Sequence, residues 1–181
     1  MITPKHILIS RTDSIGDVIL TLPLCAALKE RFPNSEILFL GKSYTKDVIQ
    51  SFTAIDTFLD WSELGKKTDS EIAKEWKTLN IDTVIHVFPN KRIGQIAKLA
   101  AIPNRIGTSH RFHHWLTCTI RPNFTRKKSE LHESQLNYKL AEKLGIGIFP
   151  TLETIQSTTH YFQPKKVDLP ASVQTFINTD T

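Results

Sequence analysis

Two carboxylates, Asp13 and Asp17, lie four residues apart in a polar turn that also carries Ser14 and Gly16. Paired carboxylates can perform general acid–base chemistry. Asp17 comes just after the glycine, at the start of a predicted helix. There, free N–H groups and the helix dipole would keep its side chain ionised and able to accept a proton. From the residue types alone, a purely helix-stabilising role for Asp17 stays open, and Asp13 and Ser14 are alternative capping residues.

Other chemistry fits the sequence less well. The turn has one glycine, whereas a dinucleotide-binding fingerprint needs three. The segment Gly41–Ser43 lacks the preceding glycine of a phosphate-binding P-loop. A phospho-receiver arrangement is disfavoured by the spacing of the acids. His110, His113 and His114 have no acid nearby in sequence and lack the spacing of a metal site, so they are predicted to be surface histidines rather than metal ligands. His86 is predicted to be a core histidine with satisfied hydrogen bonds.

Strand and helix patterns alternate five times, which predicts an α/β fold with a parallel sheet and helices on both faces. The right-handed crossover rule favours the strand order 3-2-1-4-5. Pro23 predicts a kink in the first helix or a separate first turn. Ser43 is a predicted helix cap, and the three tryptophans are predicted core residues. The predicted strands are 6–10, 36–40, 55–61, 82–88, 104–107 and an edge strand at 157–163; the predicted helices are 17–32, 44–51, 70–79, 91–101, 110–116 and 132–144.

This strand order creates a crevice outside the carboxyl ends of the first and fourth strands. The turn between Arg11 and Asp17 would form one wall. Asn90, Lys91 and Arg92, which follow the fourth strand, would form the other. The sequence therefore predicts that basic side chains lie beside the two carboxylates.

The chain has 181 residues, a net charge of +5 and a pI of about 9.2. This charge favours anionic partners such as phosphates, acidic sugars, nucleic acid or a membrane surface. Six basic residues and no acids lie between Arg105 and Lys128, although a solvated basic face would look the same. Nucleic acid is disfavoured because no regular aromatic pattern accompanies the charge. No apolar run reaches membrane-spanning length and no signal peptide is visible, so a cytoplasmic protein with reduced cysteines is expected.

The segment from Arg11 to Pro23, RTDSIGDVILTLP, resembles the opening motif of the bacterial lipopolysaccharide heptosyltransferases, glycosyltransferase family nine. The segments 105–111 and 127–133 are similar to a later part of the same domain. The resemblance covers roughly residues 5–145. It implies the Rossmann-like N-terminal half of a GT-B enzyme that binds the acceptor, with ADP-heptose bound by a C-terminal half. The implied reaction is inverting and metal-independent, without a cofactor beyond the nucleotide-sugar co-substrate. Asp17 would be the catalytic base that deprotonates the acceptor hydroxyl.

The resemblance also implies an anionic acceptor of the lipopolysaccharide core or lipid A type, at the cytoplasmic face of the inner membrane and with peripheral membrane association. Residues 1–160 would form the acceptor-binding domain and residues 161–181 a linker or tail. The donor domain would lie outside these 181 residues, and inactivity of the chain alone is expected. The alternative is a non-catalytic module that binds an anionic glycan or another polyanion. The expected acceptor contacts are Asp13, Ser14, Gly16, Asn90, Lys91, Arg92, Arg105 and Arg111.

Overall fold

A five-stranded parallel sheet forms the centre of the molecule in the computed structural model, which describes residues 2–125, 129–146 and 150–164. The strand order is β3-β2-β1-β4-β5. This order confirms the predicted order and the α/β fold class. Ser10, the last residue of β1, pairs in register with Leu40 on one side and His86 on the other. The strands are β1 His6–Ser10, β2 Glu36–Gly41, β3 Thr57–Asp60, β4 Thr83–His86 and β5 Asn104–Ile106.

Helices cover both faces of the sheet. Along β1, Ile7 and Ile9 pack on one side with α2 and α8, while Leu8 packs on the other side with α5 and α6. Successive side chains of a strand point to opposite faces of the sheet, so β1 is buried on both faces. Short 3₁₀ turns lie at 43–45, 139–144 and 158–161. The helices are α1 Ile15–Ile19, α2 Leu22–Arg31, α3 Lys46–Gln50, α4 Trp61–Leu64, α5 Asp69–Thr78, α6 Lys91–Leu99, α7 Phe112–Thr117, α8 Glu133–Tyr138 and α9 Leu152–Ser157.

The predicted helix over 17–32 consists of two helices, α1 and α2, separated at Leu20 and Thr21. Pro23 lies in the first turn of α2. A proline is tolerated there because the first N–H groups of a helix have no intrahelical acceptor. The separate first turn is thereby confirmed, and α1 is left as a short element that carries Asp17.

Three local predictions are wrong. Ser43 makes no side-chain cap and instead begins a 3₁₀ turn ahead of α3. Residues 61–64, where no helix is predicted, form α4, because the Asp60 carboxylate caps α4 by accepting a hydrogen bond from the Ser62 amide at 2.8 Å. The predicted edge strand at 157–163 is the end of α9 and a 3₁₀ turn, and only Phe162 forms an antiparallel bridge, with Phe52.

The three tryptophans have different environments. Trp76 is buried in the core, as predicted, whereas Trp61 is half-buried. Trp115 is 59% exposed, so its predicted place in the core is wrong. The predicted tail beyond residue 164 lies outside the described residues. Among the residues that are described, no helix has the length and apolar character needed to cross a membrane.

Candidate functional site

Arg11 lies at the centre of the turn that follows β1, and it is only 3% exposed. Its Nε lies 2.7 Å from Asp13 Oδ1, and its Nη2 lies 2.5 Å from Asp17 Oδ1. Its Nη1 donates to Glu133 Oε1 of α8 at 3.4 Å. A buried guanidinium needs such partners, because an unpaired buried charge is strongly destabilising. Neither Arg11 nor Glu133 is among the residues predicted for the site. The sequence signal that could have identified Arg11 is its position directly after a buried strand.

Asp17 is held by Ser14, which is the N-cap of α1. The Ser14 hydroxyl accepts a hydrogen bond from the Asp17 amide at 3.3 Å and donates one to Asp17 Oδ2 at 2.6 Å. This identifies Ser14 as the cap among the open alternatives. The hydrogen bond from Ser14, followed by the charge of Arg11, lowers the pKa of Asp17. With its side chain 36% exposed, Asp17 presents an ionised carboxylate to the solvent.

Asp13 has a different environment. Its side chain is 21% exposed, and burial raises its pKa while the nearby Arg11 opposes that shift. Its backbone carbonyl accepts a hydrogen bond from the Tyr44 hydroxyl at 2.5 Å. The two carboxylates of the turn are therefore distinct: Asp13 is the more enclosed partner of Arg11, and Asp17 is the more accessible one.

Gly16 faces open space. A Cβ atom added there would have Ser14 Oγ, 4.0 Å away, as its nearest non-neighbouring atom, and Gly16 has no positive φ. The local backbone therefore does not require a glycine at this position. The missing side chain instead leaves room for another molecule to approach α1 closely.

The segment after β4 only partly forms the predicted second wall. Asn90 caps α6 by accepting a hydrogen bond from the Ile93 amide at 3.2 Å, and Lys91 is exposed. The predicted position of Arg92 beside the first turn is wrong. Its guanidinium donates at 2.7 Å to the carboxylate of Asp69, the first residue of α5, and at 2.6 Å to each of the Gly65 and Lys67 carbonyls in the loop ahead of α5.

The basic residues of the later segment also separate into two kinds. Arg105 donates from Nε to the Thr117 carbonyl at 2.6 Å and from Nη1 to the Ile102 carbonyl, so it holds α7 against the sheet. Arg111, in contrast, is exposed and lines a cavity at the carboxyl edge of the sheet. Arg111 therefore stays available for a ligand in a way that Arg105 does not.

That cavity has a volume of about 320 Å³ and lies at the ends of β4 and β5. It was not predicted from the sequence. It lies one strand away from the point between β1 and β4 where the strand order reverses, at the carboxyl edge of the sheet, which is the edge that binds ligands in open α/β folds. Its lining residues are His86, Val87, Pro89, Thr108, His110, Arg111, Phe124, Thr125 and Leu140.

His86 is a buried polar group on the wall of this cavity. It is 1% exposed, and neither of its ring nitrogens has a hydrogen-bond partner among the described residues, so the prediction of a satisfied histidine is wrong. Burial, with a smaller effect from His114, lowers its pKa to about 3, so the ring is neutral. The Ser10 hydroxyl, on the neighbouring strand, also lacks a partner there. Buried polar groups normally have partners, so His86, which lines the cavity, is a candidate contact for a bound molecule, whereas Ser10 is fully buried and is not part of the cavity lining.

The histidines of segment 110–114 do not share one environment. His114 is buried, and its Nδ1 lies 2.9 Å from the Thr108 carbonyl oxygen, so its predicted surface position is wrong. Its ring stacks on that of His86 with centroids 5.8 Å apart. His110 is exposed. Within the part of the chain that the structure describes, no group of three or more histidine, cysteine or acidic residues is placed to hold a metal ion.

The fold and the crevice together define a Rossmann-like α/β domain of the kind found in GT-B glycosyltransferases. The chain has 23% identity and a TM-score of 0.64 to the family 9 glycosyl transferase of Veillonella parvula, covering 78% of this chain and 41% of that one. It matches the E. coli heptosyltransferase WaaC with ADP at 15% identity and a TM-score of 0.62, covering 96% and 53% of the two chains. The predicted resemblance is confirmed at the level of the fold.

The sequence comparison points to the same class. The chain is 27% identical over 135 residues to a Haemophilus influenzae protein named "Putative glycosyltransferase". The match covers 74% of this chain, but the chain spans only 38% of the length of that relative. No family model matches the chain.

Proposed function

We propose that this chain is the acceptor-binding half of an inverting glycosyltransferase that resembles the ADP-heptose:lipopolysaccharide heptosyltransferases of family nine. The motif over residues 11–23, the fold and the names of the similar proteins support this proposal. The observation that carries it is Asp17, a partly exposed carboxylate whose lowered pKa and two fixed partners keep it ionised at the edge of the crevice.

In the proposed reaction, Asp17 is the general base. An acceptor hydroxyl oxygen attacks the anomeric carbon of the donor sugar, and the Asp17 carboxylate takes the hydroxyl proton. The new glycosidic bond forms while the bond to the nucleotide diphosphate breaks, and the leaving group keeps the bonding electrons. Arg11 and Ser14 orient the carboxylate, and Gly16 gives the acceptor access to it. Since Arg11 and Ser14 also weaken Asp17 as a base, they favour orientation and ionisation over intrinsic basicity.

The acceptor that we propose is an anionic glycan of the lipopolysaccharide core or lipid A type. Arg111 and Lys91 are exposed cations that could bind its acidic groups, and His86, on the cavity wall, could bind one of its hydroxyls. Of the remaining predicted contacts, Asn90, Arg92 and Arg105 have protein partners and would act by shaping the crevice. Asp13 would act through Arg11.

The nucleotide-sugar site belongs, in this proposal, to a second half that residues 161–181 would join to the acceptor-binding domain at 1–160. The chain matches about half of the E. coli heptosyltransferase II structure, 50% of its length at a TM-score of 0.55, and that protein's name specifies ADP-heptose. We therefore expect the 181 residues alone to bind acceptor without transferring sugar. We place the enzyme in the cytoplasm, in peripheral contact with the inner membrane that carries its acceptor.

The test is Asp17→Asn in a protein that includes the donor half. We expect kcat to fall by about 10²–10⁴-fold while the acceptor dissociation constant stays nearly unchanged. Asp47→Asn is the matched control, because Asp47 is also an acid in the first turn of a five-residue helix. Transfer by the Asp17→Asn enzyme at the wild-type rate would exclude Asp17 as the base.

The alternative function, a module that binds polyanions without catalysis, is favoured by the excess of positive charge. It predicts salt-sensitive binding of heparin or other polyanions with no preference for lipopolysaccharide core sugars. Titration of the 181-residue chain with both kinds of ligand at two salt concentrations separates the two functions. A clear preference for the core oligosaccharide would support the glycosyltransferase.

A further inference from the structure

We propose that the outer face of α7, formed by Phe112, Trp115 and Leu116, docks on the surface of an anionic lipid bilayer. These three side chains, named here the α7 face, are 81%, 59% and 61% exposed. The inference deepens the membrane association proposed above by assigning it to one surface and one lipid charge. It depends on apolar exposure and charge rather than on the transfer reaction.

The α7 face is contiguous because its residues lie at positions i, i+3 and i+4 of one short helix, which places them on the same side. Exposed aromatic and leucine side chains at this spacing form an apolar strip, in which the Arg121 guanidinium covers part of the Trp115 ring and the Phe112 and Leu116 side chains stay largely exposed. Scattered exposed apolar residues are common in proteins, but a contiguous strip usually marks an interaction site.

The opposite side of α7 is firmly attached to the domain. Thr117 is buried against α6, where a Cβ atom on Gly94 would lie 3.0 Å from Thr117 Oγ1. Arg105 donates to the Thr117 carbonyl, and His114 packs beneath the helix. The exposure of the α7 face is therefore a feature of a packed helix and not of a frayed segment.

The charge around the α7 face selects the partner. Arg121 lies over the Trp115 ring at 4.8 Å, and Arg111 immediately precedes the helix. The stretch of sequence that contains the α7 face, residues 83–129, has no acidic residue beside these two arginines. Apolar and aromatic side chains framed by arginines are the composition that binds the interface of anionic membranes. A second copy would bring two positive surfaces together, which is unfavourable.

A second exposed apolar region gives a useful contrast. Ile19, Leu152 and Phe162 line a groove on another side of the domain, and they are 49%, 58% and 42% exposed. An acid, Glu153, lies next to Leu152. This groove has comparable apolar exposure but lacks the surrounding arginines, so it is the natural control for the α7 face.

The position of the α7 face also suits an acceptor that is anchored in lipid. Arg111 contributes to the cavity that contains His86 and directly precedes α7. A bilayer in contact with the α7 face would therefore hold its headgroups close to the mouth of that cavity. An acceptor glycan could then enter the crevice while its lipid portion stays in the membrane.

The experiment measures binding of the 181-residue chain to vesicles of phosphatidylcholine with and without phosphatidylglycerol. We expect binding only to the anionic vesicles, weakening with salt, and a blue shift of tryptophan emission as Trp115 leaves water. The triple variant Phe112→Ser, Trp115→Ser, Leu116→Ser should bind at least about tenfold more weakly. The matched control Ile19→Ser, Leu152→Ser, Phe162→Ser should bind as the wild type does.

Circular dichroism establishes whether each variant is folded. If either triple variant is unfolded, the single variants Leu116→Ser, in the α7 face, and Leu152→Ser, in the control groove, are compared instead. Equal binding by the α7 variant and the wild type would overturn the proposal, as would equal binding to neutral vesicles. A dimer that the α7 variant disrupts, without vesicle binding, would instead assign the α7 face to a second copy. Asp17→Asn should bind vesicles normally, so a failure of the proposed catalysis and a failure of membrane docking are distinguishable.

Discussion

Arg11 joins carboxylates that come from two distant parts of the chain, because Asp13 and Asp17 precede Glu133 by more than a hundred residues. Replacing Arg11 with methionine keeps much of the side-chain volume but leaves these acids without their cation. We expect Arg11→Met to lower the free energy of unfolding by about 3–5 kcal/mol, as is typical when one partner of a buried ion pair is removed. Urea denaturation measures this loss.

The matched control for Arg11→Met is Arg92→Met, which removes a guanidinium whose ion pair with Asp69 is more exposed. Exposed ion pairs contribute only about 0–1 kcal/mol, so a much smaller loss is expected there. Equal losses in the two variants would mean that Arg11 has no special structural role.

His86 makes the stability of the domain dependent on pH. Its pKa in the folded protein is about 3, below the value of about 6.5 expected in the unfolded chain. Between these values the unfolded chain binds a proton that the folded protein does not, so stability falls as the pH drops below about 6.5. His114 and His113 have lowered pKa values and contribute in the same direction, while the charge of Arg105 adds to the shift at His86.

The corresponding prediction concerns His86→Leu. When the pH is lowered from about 7.5 to about 5, the free energy of unfolding of this variant should decrease by about 2 kcal/mol less than that of the wild type. Urea midpoints at the two pH values measure the difference. An unchanged pH dependence would show that water or another group satisfies His86 in solution and permits its protonation.

Some of the site could be predicted at this scale. The importance of the segment around Asp13 and Asp17 follows from the residue types alone, since polar residues and a glycine separate a buried strand from a helix. The roles of Arg11 and Glu133 could not be predicted, because their contact joins residues 122 apart in sequence. The orphaned nitrogens of His86 also depend on what the rest of the chain packs around them.

At the scale of elements, the packing of α7 against the end of β5 depends on Gly107. A Cβ atom there would lie 2.7 Å from His114 Nδ1 and 2.9 Å from Cys118 Sγ, which is too close for either atom to remain in place. We expect Gly107→Ala to destabilise the domain by about 1–3 kcal/mol through overpacking. Thermal unfolding followed by circular dichroism measures this effect.

Gly16→Ala is the paired control for that prediction. It adds the same methyl group where the nearest non-neighbouring atom is 4.0 Å away, so the melting temperature should stay nearly unchanged. If Gly107→Ala were equally harmless, α7 would have to move without cost, and the α7 face would lose its rigid support.

Individual helices and strands could be predicted where the residues that determine them lie within or next to the element itself. The apolar strands and α5 have strong patterns, and α5 also has a complete capping box between Thr68 and Glu71. The division between α1 and α2 was partly predictable, because Pro23 allows only a few positions in a helix. The strand prediction for residues 157–163 was wrong because a short polar–apolar alternation also fits the end of a helix. The N-cap of that helix, Thr151, lies before the predicted segment.

At the scale of the whole molecule, the strand order could be predicted because connection handedness leaves few arrangements of five alternating units. The crevice position follows from that order. The cavity at His86 and the exposure of Trp115 could not be predicted, since both depend on how segment 107–125 folds back over the sheet edge. The general location of the candidate site therefore follows from the topology of the sheet, while its chemical details depend on tertiary packing.

Three contacts from α8 reach back to the beginning of the chain. Glu133 binds Arg11, the Asn137 side chain donates to the Leu20 carbonyl at 3.0 Å, and the Tyr138 hydroxyl donates to the Pro23 carbonyl at 2.8 Å. During synthesis on the ribosome, β1 and α1 emerge long before these partners exist. The first turn would thus be made early and completed late, so that a nascent chain acquires a finished site only after α8 has been translated and has docked.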